Sequence, residues 1–248
     1  MRPFIEILLL LSFILVLQGC ADSYEKLSLA YDFYEAKKLE ETLKELDRIK
    51  TNTRENGLFY KEISLFEGRV YLEMDKLEKA QQSFKEVLAG KSNTIQFARA
   101  LKKKITSVDP YSKLYYDANM NLARIYTRRK LYQKSLNFIQ RADEESGYFG
   151  CLFGKLDDEF QRDTLFVRNQ LELGRIDLVL ERLKGDIFNL SSVKNYRNIS
   201  NIAFLIKEKY SPNEISRALN EVVSSIEKRE TSVAGVIEKE YYSTWFGY

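Results

Sequence analysis

Few residues of this chain are equipped for chemistry, and their spacing decides how far each can go. Asp157-Asp158-Glu159 sets three carboxylates side by side, which could serve acid–base work or hold a cation. Acids near the start of a helix are favoured by its macrodipole, and no second ligand set or organised nucleophile accompanies these three. The stretch from Gly147 to Gly154 mixes three glycines with five apolar residues but lacks the Lys-Ser/Thr ending of a phosphate loop. It reads as a connector tucked against the core. Histidine is absent, which removes His-based triads, HExxH zinc sites and the usual imidazole base. The two cysteines, Cys20 and Cys151, stand in different contexts, and Cys151 reads as a small buried apolar residue. No catalytic residue and no metal ligand is assigned, and no enzyme activity is expected. With 39 basic and 36 acidic residues the net charge is +3, without the concentrated basic footprint that nucleic acid requires. Lys102-Lys103-Lys104 reads as a solvated helix face.

The elements that must position the remaining candidates are helices. Three prolines and 11 glycines in 248 residues are too few for a turn-rich sandwich or barrel. Apolar residues recur at helical spacing nearly throughout the chain after Cys20. Before it, Ile7 to Leu17 carries only apolar residues and one serine. At about 1.5 Å per residue this run reaches roughly half a bilayer core, so it reads as a secretory apolar region rather than a spanning helix. The segment closes on Leu17-Gln18-Gly19-Cys20, which resembles the lipobox of bacterial lipoprotein signal peptides. The resemblance implies cleavage after Gly19 and a diacylglyceryl group on Cys20, the lipid-bearing N-terminus. Two acyl chains anchor more firmly than the marginal hold of one. Ala21 follows the cysteine, with Asp22 one place later, which favours the outer membrane over inner-membrane retention.

Farther on, pairs of residues twelve apart recur: Ala30 with Thr42, Gly68 with Ala80, Ala123 with Ser135, and Val167 with Val179. Three residues after each first member stand Phe33, Tyr71, Tyr126 and, as the exception, Gln170; sixteen after stand Leu46, Phe84, Ile139 and Leu183. Two helices crossing closely need slim side chains at the contact and large apolar ones around it. The spacing places a turn seven residues after each first member, at Lys37, Asp75, Lys130 and Gly174. This pattern resembles the tetratricopeptide repeat, best in Gly68, Tyr71, Ala80, Phe84 and Val87, and more loosely in Ala123, Tyr126, Tyr132 and Ser135. The first members stand 38, 55 and 44 residues apart, against the family's usual ~34. Another helix is expected over Thr94 to Ile105, a break at Asp109-Pro110, and a capping box at Ser211-Pro212-Asn213-Glu214 opening a helix to about Ile226.

The expected organisation is a signal peptide over 1–19, a lipidated N-terminus and tether over 20–26, and tetratricopeptide-like repeats over 27–190. A helical cap with an aromatic tail follows over 191–248, Tyr241 to Tyr248 docking in cis, on a partner or at a lipid interface. The resemblance implies an all-α right-handed superhelix of stacked hairpins. It also implies a groove lined one residue beyond each small position, by Tyr31, Arg69, Arg124 and Arg168. Guanidinium forks there would suit a partner segment with acidic side chains or a free C-terminal carboxylate. The bland alternative is that these arginines face solvent or pair with acids such as Glu62 and Asp117. The function implied is that of a lipid-anchored adaptor holding other envelope proteins, similar to the tetratricopeptide lipoproteins of envelope assembly. A surface lipoprotein meeting external ligands and an envelope enzyme on a helical scaffold are the alternatives. Beyond the covalent lipid no cofactor is expected.

Overall fold

The structure, a computed structural model, describes residue 25 and residues 27–55, 57–89, 111–145, 152–188 and 193–227. The leader with Leu17, Gly19 and Cys20, the segment from Thr94 to Pro110, residues 147–151 of the glycine-bearing connector with Cys151, and the aromatic tail lie outside the described residues; Leu152, Phe153 and Gly154, expected in the connector, open a helix instead. Among those described, every regular element is a helix: α1 (27–35), α2 (Leu39–Thr51), α3 (Leu58–Glu73), α4 (Leu77–Leu88), α5 (Tyr111–Arg128), α6 (Tyr132–Glu144), α7 (Leu152–Glu172), α8 (Ile176–Phe188), α9 (Val193–Lys209) and α10 (Pro212–Glu227). The chain divides into two compact units. The first comprises Met1–Asn121 with Glu145–Tyr148, and the second Leu122–Glu144 with Phe149–Tyr248.

The twelve-residue pairs sit where the spacing places them. In the first unit Ala30, Thr42, Gly68 and Ala80 are buried, and in the second so are Ala123, Ser135, Val167 and Val179. Between the members of each pair the chain turns at Lys37 (φ 58°), Asp75 (φ 55°), Lys130 (φ 58°) and Gly174 (φ 72°), the positive-φ positions among the described residues. All four turns close in the same way. The next residue's N–H reaches back to a carbonyl five positions earlier, Lys38 to Phe33, Lys76 to Tyr71, Leu131 to Tyr126 and Arg175 to Gln170, at 2.8–2.9 Å. The turn residue's own N–H bonds three positions back. This is the Schellman closure, which satisfies carbonyls that the helix end would otherwise orphan.

Only Gly174 adopts this left-handed conformation without a Cβ penalty. Lys130→Gly should therefore raise stability by about 1 kcal/mol, because Lys130 is exposed and only its backbone is strained. Urea denaturation reads the gain as a higher midpoint at unchanged slope. A lower midpoint would mean that the turn is not left-handed there.

Cores form around these crossings. In the first unit Leu27, Ala30 and Leu46 pack with Ile63, Phe66 and Val70. In the second, Ala123, Leu136 and Ile139 gather Phe138, Leu165 and Phe166, and Val167, Leu171, Val179 and Leu180 meet Ile199, Ile202, Ile206, Ile215 and Leu219.

The last two helices repeat the register in a form the sequence reading missed. Ala203 and Ile215, twelve apart, are both buried, and Leu219 lies sixteen after Ala203. The loop between α9 and α10 has no left-handed residue. Ser211 caps α10 instead: its N–H and hydroxyl donate to the Glu214 carboxylate at 2.9 and 2.7 Å, and hold that carboxyl below its ordinary pKa. The expected capping box and helix are thus present, with α10 running to Glu227. The segment expected as a helical cap is helical, and its two helices form a fifth hairpin that packs on the fourth. Its helix α9 packs on α7 and α8, with Asn201 donating to Thr164 at 2.8 Å, and α10 packs on α8.

Candidate functional site

The row one residue beyond each buried crossing position is mostly engaged. In the first unit Tyr31 is half exposed and stacks on Phe66 with ring centroids 4.5 Å apart. Arg69 donates to Asp117 at 3.0 Å, and Lys113 holds the other oxygen of that carboxylate at 2.5 Å. In the second unit Arg124 donates to the Gln161 side-chain oxygen, while Arg168 is exposed and forms no ion pair among the described residues. A single rule relates the two arginine bonds. Asp117 stands six residues before Ala123, and Gln161 stands six before Val167. In each unit, then, the residue after one crossing position reaches the same register position on the first helix of the next hairpin. Glu62 is the equivalent of Asp117 one hairpin earlier; burial pushes its carboxyl pKa up. The sequence named Asp117 as a possible partner, but the six-residue offset emerges only from the packing.

Buried charge in the first unit ties helices together. The Lys50 ammonium lies between Glu67 at 2.5 Å and Glu86 at 2.8 Å, so α2, α3 and α4 share one ion cluster. Burial lowers the Lys50 pKa, but the two carboxylates outweigh it and leave the net shift upward. Burial raises Glu67 despite Lys50. Lys61 is buried with its ammonium on the Val87 and Ala89 carbonyls at 2.6 and 2.5 Å, closing the end of α4, and burial lowers its pKa. Tyr34 is pushed up to about 12, by burial first and then by its hydrogen bond to Glu73. Each of these groups is matched by a charge or by helix-end carbonyls, and together they fasten neighbouring helices.

The second unit contains a cleft of about 320 Å³ between α6, α7 and α8. Arg162, nearly buried, donates to Asp143 and, at 3.1 Å, to Asp163. Arg182 also reaches Asp163, at 2.9 Å, and Arg175 donates to the Gln133 side-chain oxygen at 3.0 Å. Leu136, Ile139 and Phe166 supply the apolar wall. Gln170, the exception in the aromatic row, lines this cleft; it is 94% buried and its Oε1 has no hydrogen-bond partner. The signal for the cleft lay in that exception. In the preceding hairpin the matching positions hold Tyr126 and Phe138, stacked at 5.3 Å and 8°; here they hold Gln170 and Arg182.

Asp157, Asp158 and Glu159 stand in the second turn of α7. Among the described residues no group of three or more His, Cys, Asp or Glu side chains is placed to hold a metal ion. Likewise no described helix is long and apolar enough to cross a membrane. The sequence matches no protein-family model, no curated protein and no solved structure.

Proposed function

We propose that this chain is a lipid-anchored, non-enzymatic adaptor of the bacterial cell envelope, holding partner proteins on tetratricopeptide-like stacked hairpins. One observation carries the reading. The first four hairpins use the same twelve-residue pair and turn position, and in each unit an arginine ties successive first helices at the same offset. Helical hairpins that repeat in this way within a unit present equivalent side chains to a partner.

Arg69 and Arg124 spend part of their donor capacity on the neighbouring helix, which leaves Arg168 as the guanidinium best placed to meet a partner carboxylate. The leader supplies the tether, through lipid on Cys20, and the order Gly19-Cys20-Ala21-Asp22 favours the outer membrane; the adaptor role is what favours its periplasmic face.

A photo-crosslinking residue at position 168, used in native membranes, tests the reading. It should capture a discrete envelope protein, and Arg168→Glu should reduce co-purification of that protein severalfold. Cys20→Ser should release the chain from the membrane fraction and abolish lipid incorporation, as read by mass spectrometry. A Cys20→Ser chain that still sediments with membranes would overturn the anchor. Absence of any adduct at position 168, with co-purification unchanged in Arg168→Glu, would overturn the docking row.

A further inference from the structure

We propose that the cleft between α6, α7 and α8 binds a small monocarboxylate that carries an N–H donor and a short apolar side chain, an N-acyl amino acid in chemical class. Charge selects the anion. Three guanidinium groups, of Arg162, Arg175 and Arg182, face two carboxylates, of Asp143 and Asp163, leaving one positive charge in excess. Arg162 is committed to both acids, whereas Arg175 meets only the neutral amide of Gln133. A guanidinium has five N–H donors in a planar fork, so Arg175 retains the geometry that receives a carboxylate.

The donor is selected by Gln170. Its Oε1 is buried without a partner, and a buried acceptor left unsatisfied costs stability until an N–H or O–H reaches it. Phe166, Leu136 and Ile139 provide the wall for the apolar side chain. The volume of about 320 Å³ falls at the small end of ligand pockets, which fits one compact molecule.

The cleft also breaks the pattern of its own chain. An aromatic ring at position 170, as at Tyr126, would close it, and an aromatic partner at position 182, as at Phe138, would stack on that ring. The fourth hairpin has an amide and a guanidinium at these places instead. This proposal is independent of the adaptor reading, since none of the cleft residues belongs to the docking row.

The test uses the full-length chain in detergent and isothermal titration with N-acetyl-L-leucine. Saturable one-to-one binding with a dissociation constant below about 1 mM is expected. The methyl ester of the same compound, which lacks the anion, should bind at least about tenfold more weakly. Arg175→Gln, at an exposed position, should show a similar loss with unchanged circular dichroism, and Gln170→Tyr should abolish binding by filling the space. Lack of binding by N-acetyl-L-leucine, equal binding of acid and ester, or undiminished binding by Arg175→Gln would each overturn the proposal.

Discussion

Gly68→Val should destabilise the protein by about 4 kcal/mol, the combined cost of overpacking and of displacing a buried ring. A Cβ at position 68 would lie 2.4 Å from one carbon of the Phe84 ring and 2.7 Å from two others. Phe84 is completely buried where α3 meets α4, so the ring can withdraw only by opening a void elsewhere. Gly68 does not have a positive φ; the position needs glycine for space, and helix propensity alone would favour alanine by about 1 kcal/mol. Steric cost and propensity therefore oppose each other in Gly68→Ala, with a net loss of about 2 kcal/mol expected. Phe84→Leu made in the Gly68→Ala background should cost much less than Phe84→Leu alone, because contacting positions are not additive. Urea denaturation of the parent and the four variants measures all of this. If Gly68→Ala proves more stable than the parent, α3 and α4 do not cross at this contact.

That crossing was legible before any coordinates, and the reason is physical. Lys37, Asp75 and Lys130 carry no local mark of a left-handed turn, and their places follow only from counting between slim residues that had to meet. The Ser211-Glu214 capping box was legible for the opposite reason, because its chemistry is contained within four residues. The fifth hairpin escaped notice since Ile215 is not slim and its loop substitutes a cap for the left-handed turn. The ties from Arg69 to Asp117 and from Arg124 to Gln161 span 48 and 37 residues. No local spacing rule selects such partners until the stacking is known. Gln170 was visible as a misfit in the aromatic row, but a misfit does not reveal which side chains gather around the space it leaves.

Position 169 offers a substitution whose effect should depend on pH. Asn169 is completely buried; its Nδ2 donates to Ser135 Oγ at 2.8 Å, and its Oδ1 accepts from the Thr127 hydroxyl at 2.9 Å. Ser135 in turn donates to the Ala123 carbonyl at 2.8 Å, so this network joins α7 to the third hairpin at its crossing. Asn169→Asp keeps the shape. When protonated, the acid's O–H can replace the amide donor toward Ser135 while its carbonyl still accepts from Thr127. When ionised, it places a carboxylate where a donor is required, without a cation among these partners, and burial then favours the protonated form.

The folded-state pKa of the new acid is therefore raised above its unfolded value of about 4. Below that value the variant should nearly match the parent. As the pH climbs through the folded-state pKa its stability should fall, and above that pKa the deficit levels off. A rise of about two pKa units corresponds to a plateau deficit of about 3 kcal/mol. Denaturation midpoints of both proteins at pH 4 and pH 8 read the difference directly. Asn169→Leu serves as the control, since it loses the same hydrogen bonds with no titrating group and its deficit should not change between the two pH values. A deficit in Asn169→Asp that is as constant as in Asn169→Leu would show that position 169 is open to water and that the network does not close the crossing.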